Sequence, residues 1–565
     1  MFRWSLGLLL ISVCCFGQLN PDLQELGMDF FRWRAITQPA SGDDVPRVER
    51  PNGWRPEFSH VEIGAYREAY KRYRAKLEAL PREGWSRADS VDYLILRAAM
   101  ERVNWELNVL RLPHRNPDFY VHQTLGAVYE LLLVHSPMTE LRARNIIIRL
   151  QAFRKILGDA RENLTEIVRP FADIALARLK GVDQRLLRMA EALKPLIRPA
   201  LHGALDNAVA EAIEVLTQYA EWLEAQRPHM TEEFSIGREG YEYFLKNVAL
   251  IPYSPETLLR MGRQEWERAV AFETYEALRN REEAPLRLFS SLDEQVAASR
   301  KAEESIRAFL EKNDIMTVPE GFPHYRMVPM PPHVAPLANM GVNDDLTSPT
   351  RLDEDAVRYL REPSPNLPYF ALATARDPRP LIVHEGIPGH YFQLARSWAN
   401  PDPLRRYYID SGANEGIAFY MEEMLLQFGL FNDSPHTREI IYNFMRLRAL
   451  RVEVDIKLAI GEFTIEEAAD YLAKTVPMDR ETAVGEAGFF AYNPGQAISY
   501  QIGKLQILKF LADARVHLKD KFDLREFHDY LVENGNVPIA LLRWEYLGLD
   551  DEVKQFFETT GEGTR

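Results

Sequence analysis

Chemically capable side chains crowd together in the stretch Leu381-Ile382-Val383-His384-Glu385-Gly386-Ile387-Pro388-Gly389-His390, set on an apolar run. It reads as an expanded H-E-x-x-H pattern. In the usual form, two histidines four residues apart stand roughly 40° apart around a helix and face one metal ion, with the intervening Glu as base. Here His390 follows His384 by six residues, roughly 240° of rotation, which aims the two rings at separated faces of a straight helix. Pro388 has no N–H for the His384 carbonyl and its ring clashes there, while Gly389 can take backbone angles that other residues avoid. The pair predicts a bulge or break at Pro388-Gly389 that swings His390 back beside His384.

A catalytic zinc takes three protein ligands and keeps a position for water, so a third ligand is needed. Glu415, in Gly412-Ala413-Asn414-Glu415-Gly416-Ile417-Ala418, follows His390 by 25 residues, room for a helix, a turn and a return helix. Gly416 and Ala418 are small enough to let those two helices approach. Glu422 shares a helix face with Glu415 and could orient a ligand histidine from behind. Taken alone, Glu422 and Glu423 read better as a solvated acidic face. Glu385 is the candidate general base and Tyr500 the candidate donor to a developing oxyanion. For Tyr500 a packed core tyrosine is an equal reading. The bland account of the whole stretch makes His384 a hydrogen-bonded core histidine and Pro388-Gly389 an ordinary helix break.

The elements that would position these residues are mostly helices. From about Pro21 to Glu311, apolar residues recur at three- and four-residue steps, clearly at Val121 to Leu133, Asn145 to Leu157, Leu186 to Leu193 and Leu205 to Ala225. Ser254-Pro255-Glu256 and Ser291 mark helix starts, and Thr464 with Glu467 has capping-box spacing. Residues 18–316 are expected to form a helical scaffold, in which His114 and His135 are ordinary surface or core polar residues. Residues 317–565 are expected to form the region bearing the site, continuous with that scaffold. Prolines crowd the chain from Pro319 to Pro380 and exclude long helices there. Short strands at His324 to Val328 and Ala356 to Leu360 are expected instead, in a small sheet whose exposed edge would pair with an extended substrate. Helices follow from Asn414 to Phe428, Thr437 to about Leu458, Ile465 to Ala473 and Gln496 to about Ala514. The last residues, Thr559 to Arg565, are expected to fray.

The 565 residues, 46% hydrophobic and 27% charged, have an ordinary globular composition, and the formal charge of -15 without a basic stripe argues against nucleic acid. Met1-Phe2-Arg3, the apolar run Trp4 to Val13 and Cys14-Cys15-Phe16-Gly17 follow the plan of a secretory signal, with cleavage expected after Gly17. The run is too short to span a bilayer, which takes about 20 residues. A lipid-anchored form at a cysteine of this segment is a second reading, but Val13 and Cys14 suit an acylation site poorly. Both cysteines fall in the segment, so the mature chain would carry neither disulfide nor thiolate ligand. Export to the periplasm or beyond follows from this reading.

The segments His384 to Gln393, Asn414 to Glu422, Tyr492 to Gly503 and His528 to Leu542 resemble the characteristic blocks of the bacterial family called domain of unknown function 885. The resemblance runs from about Leu23 to Glu552. It implies a mainly helical, zincin-like fold with a deep cleft and a small sheet, similar to helical zinc peptidases of the gluzincin type, and export with or without a lipid anchor. It puts His384, Glu385, His390 and Glu415 at the metal and base positions, and Asp455 at a structural position or one behind a metal ligand. Ile417 stands where the family commonly has Trp.

The expected activity is hydrolysis of peptides by an exported enzyme with one Zn2+ per chain. Two other readings stay open: a metal-dependent hydrolase of other amides or esters, and a non-catalytic extracytoplasmic binding protein with a degenerate site. Cleavage direction, substrate length and oligomeric state leave no sequence signal.

Overall fold

The computed structural model describes residues 19–41, 48–476 and 478–557. The signal segment 1–17 and the tail Thr559 to Arg565 lie outside the described residues. The chain is mainly helical, with one three-stranded sheet among the described residues. The helix starts fall where capping chemistry puts them. Ser254 accepts from the Thr257 N–H ahead of Pro255–Arg279, Ser291 from the Glu294 N–H ahead of Leu292–Lys312, and Thr464 forms the full capping box with Glu467. Two long apolar runs are interrupted. The expected helix Val121 to Leu133 contains a π-helical turn at His122–Gly126, and that over Asn145 to Leu157 is split at Ala152. No described helix is long and apolar enough to cross a membrane.

The sheet order is β1 (Tyr325–Pro329), β3 (Ala356–Leu360), β2 (Asp344–Asp345), with β3 parallel to β1 and antiparallel to β2. Side chains alternate along β3. Val357 and Tyr359 enter a core built by helices between Phe119 and Leu223. Ala356 and Leu360 enter the main core, which gathers Leu23, Ile382, Phe392, Ile417 and Phe556. Arg358, midway between them in the strand, therefore faces the side where the His384 segment lies. The sheet offers less free edge than expected. The Tyr325 N–H donates to Glu303 of the Leu292–Lys312 helix, and both β2 residues are buried.

Candidate metal centre

Residues Ile382–Gly386 form a π-helical turn, the Ile387–Pro388 peptide is cis, and a regular helix restarts at His390–Trp398. The interruption predicted from Pro388-Gly389 is present. Gly389 is required by space: a Cβ there would stand 1.9 Å from the His384 carbonyl oxygen. Gly386 is required too, since a Cβ would meet the Tyr325 ring at 2.6 Å, so the sheet presses directly on the turn. The result sets the His384 and His390 rings 4.8 Å apart and nearly perpendicular.

Glu415 arrives on the helix Ser411–Phe428, whose first turn is capped by Asp410. Gly416 does serve a close approach, but to a different helix from the one expected. A Cβ on it would lie 2.6 Å from Gly503, and one on Gly503 only 2.1 Å from the Gly412 carbonyl oxygen, so the Glu415 helix rests on the helix Gln496–Leu518 that carries Tyr500.

Glu415 Oε2 stands 3.2 Å from His390 Nε2 and 3.5 Å from His384 Nε2. All three ligand atoms lie within 4.8 Å of one another. Zinc ligands at about 2.0–2.1 Å in a tetrahedral shell are separated by about 3.3 Å, so the two Glu415 distances fit. Glu415 Oε2 is also buried and makes no hydrogen bond, although two imidazoles face it. The three atoms are close enough together that they could hold one cation.

The far side of each ring is held. His384 Nδ1 is 2.6 Å from Glu422 Oε1, and His390 Nδ1 is 3.2 Å from Asn414 Oδ1, so a proton held at each Nδ1 would free both Nε2 atoms to ligate a metal beside Glu415. Glu422 is 1% exposed and pairs with Arg448 at 3.0 Å; Glu423 pairs with Lys504 at 2.6 Å and Arg268 at 2.8 Å. The solvated acidic face is thus overturned, because every exit from these carboxylates is closed by a packed cation. Burial and the Arg448 guanidinium work against protonation of His384, yet Glu415 and Glu422 outweigh them and hold its pKa up at about 9 in the ion-free chain. Burial likewise opposes ionisation of Glu415, but His390 and His384 prevail and keep it well below the usual carboxylate range.

Tyr500 lies flat against His384, ring centroids 6.2 Å apart and planes within 11°. The Arg451 and Arg448 guanidiniums lie 4.9 and 5.6 Å from its ring. Glu385 leaves the turn toward the sheet, 3.6 Å from Arg358, whose shorter contact, 2.5 Å, is to Asp344. Asp455 bonds to none of the ligand candidates. It accepts from the Gly495, Ala497 and Ile498 N–H groups and from the Tyr241 hydroxyl, which makes it the anchor of the Tyr500 helix. Burial pushes its carboxyl up to about 7 against the pull of those donors. Arg448, Asn414, Arg358 and Asp344 complete the site and carry no sequence signal of their own; only the neighbourhood of Asn414 to Glu415 hinted at one of them.

A family model for bacterial proteins of unknown function, DUF885, matches residues 47–545. The chain belongs to this family. Two solved structures share the DUF885 chain's fold. One, from Shewanella oneidensis, is described as "a putative lipoprotein of unknown function"; it is 17% identical, with a TM-score of 0.71 over 93% of this chain and 99% of its own. The other, described as "the putative lipoprotein from Colwellia psychrerythraea", is 18% identical, with a TM-score of 0.73 over 93% of this chain and 97% of its own. No curated protein sequence matches the chain.

Proposed function

We propose that this DUF885 member is an exported zinc-dependent peptidase, with a zincin-like fold and a cleft leading to His384, His390 and Glu415. The observation that carries this reading is the buried Glu415 oxygen that faces two imidazole nitrogens and bonds to neither. Export is supported by the signal-like segment and by the descriptions of the two structural relatives as lipoproteins.

Zinc held by His384, His390 and Glu415 supplies Lewis acidity and activation of water at neutral pH. The chain's own groups do the rest. Glu385, its side chain 16% exposed, takes the proton of the attacking water and passes it to the departing amine. Arg358 steers that carboxylate from the sheet side while remaining committed to Asp344. Tyr500 donates its hydroxyl proton to the carbonyl oxygen as negative charge develops there. Glu422 and Asn414 fix the two imidazoles. Asp455 holds the Tyr500 helix at the depth where its ring meets His384.

Glu385→Gln keeps shape and removes the base. It is expected to retain zinc and to lose roughly 10²–10⁴-fold of peptide hydrolysis. A zinc-loaded Glu385→Gln protein with parental turnover would overturn the mechanism. Screening peptides beside small amides and esters sets the substrate class.

A further inference from the structure

A cavity of about 510 Å³ opens at the N-terminal ends of the Glu415 and Tyr500 helices, where Ser411 and Gln496, the first residue of each, line it. Glu415 lies one turn beyond Ser411, and Tyr500 one turn beyond Gln496, on the same helix faces and about 6 Å along each axis. The two helices therefore run as paired rails from the cavity toward the metal centre, with Glu415 and Tyr500 themselves lying beyond the cavity lining. The walls are aromatic, with Phe31, Trp105, Trp398, Tyr407 and Tyr408.

Most charged groups in the lining are engaged. Arg34 pairs with Glu106 at 2.8 Å, Glu49 accepts from the Thr350 hydroxyl at 2.5 Å, and Arg406 donates to the Asn400 carbonyl at 2.8 Å. Arg32 is exposed to solvent. Arg102 differs from all of these. It is half-buried and forms no ion pair among the described residues; the Phe244 ring lies 5.8 Å away, and the buried Asp410 carboxyl, beyond ion-pair distance, feels its charge. The Gln496 side-chain amide is likewise without a hydrogen-bond partner among the described residues. A half-buried guanidinium outside any ion pair, with its nearest acid at longer range, still offers a planar fork that fits a carboxylate bidentately, and the aromatic walls suit an apolar side chain beside it.

We propose that this cavity receives the C-terminal end of a peptide, with the free α-carboxylate on Arg102, an apolar terminal side chain among the aromatic walls, and the preceding amide laid along the two rails. The assignment rests on the peptidase reading of the metal centre and gives it a direction. Water adds across the C–N bond, the shortened chain leaves as a carboxylate, and the C-terminal fragment departs as the amine.

The test is calorimetry on the chain from Gln18 onward in the Glu385→Gln form, zinc-loaded and chelated. The probes are short N-acetylated peptides ending in phenylalanine, each as free acid and as amide. The acid is expected to bind roughly tenfold or more tightly than the amide, and Arg102→Gln to remove that preference while its melting curve and zinc content stay parental. Arg102→Lys should retain part of it. Equal binding of acid and amide, binding of neither, or a preference that survives Arg102→Gln would overturn the assignment. The two readings fail separately. An acid preference in the chelated protein, with no hydrolysis by the parent chain, removes the peptidase and leaves the carboxylate receptor. Hydrolysis of amidated peptides as fast as free acids, unaffected by Arg102→Gln, removes the receptor and leaves the peptidase.

Discussion

Two π-helical turns each carry a buried histidine beside a buried carboxylate, and they differ in charge balance. At His122–Gly126, His122 Nε2 lies 3.4 Å from Asp118, one turn earlier on the same helix face, and Arg178 closes the site 3.2 Å from the other Asp118 oxygen. One acid meets one permanent cation. At Ile382–Gly386, His384 faces Glu422 and Glu415, and His390 faces Glu415 as well. Arg448 answers Glu422 and Arg451 is committed to Glu486, so among the described residues only imidazoles stand within ion-pair distance of Glu415, with Arg451 acting on it from further off. A buried histidine–carboxylate contact is by itself a packing device. A surplus of convergent electron-pair donors over permanent cations is what a metal ion corrects.

The contrast can be sharpened from the strongest effect on zinc to the weakest. Glu422→Gln leaves the first-contact residues intact but removes the acid behind His384. Zinc affinity should fall roughly 10–100-fold in competition with a chelator. Unchanged affinity would mean that Glu422 serves Arg448 alone, as Asp118 serves Arg178.

Proton linkage gives the next effect. The folded, ion-free chain holds His384 up at about 9, above its unfolded value, so it binds more protons than the unfolded chain between about 6.5 and 9. That contribution to stability is complete below about 6.5 and is lost as pH rises through 9. The chelated protein should therefore become less stable across that window, whereas the zinc-loaded protein should lack this decline, because a ligating imidazole is neutral. By the same linkage, apparent zinc affinity should drop about tenfold per pH unit below 9. Denaturant midpoints at several pH values with and without chelator check both statements. A flat profile in the chelated protein would contradict the surplus of acid around His384.

Asp118→Asn is the control for the other turn. It should leave zinc content untouched and cost about 1–3 kcal/mol of stability, read from urea unfolding, because Arg178 loses its buried partner. Loss of zinc in this variant would break the distinction between the two turns.

Much of the framework is written locally in the sequence. Ser254, Ser291 and Thr464 start helices through hydrogen bonds to residues three positions on, and Pro388-Gly389 breaks the chain where ring and carbonyl cannot coexist. The strand at Ala356–Leu360 also follows from its own residues. What escapes sequence reading is set at long range. Arg448 reaches His384 across 64 positions, and Gly416 is small for Gly503, not for the neighbouring His390 helix. Strand β2 is two aspartates held against β3 by the ladder, with Asp344 paired to Arg358 and Asp345 to Arg351. The π turns have no periodic signature, since one inserted residue in a helix shifts the pattern without erasing it. For Glu422 and Glu423, residue type suggested solvent, and only the arrival of Arg448, Lys504 and Arg268 from other helices reverses that.

The most direct measurement is the zinc content of the purified chain from Gln18 onward, beside His390→Ala. The convergence of His384, His390 and Glu415 predicts about one zinc per parent chain and none in the variant. Absence of zinc from both, after metal has been supplied, would contradict it.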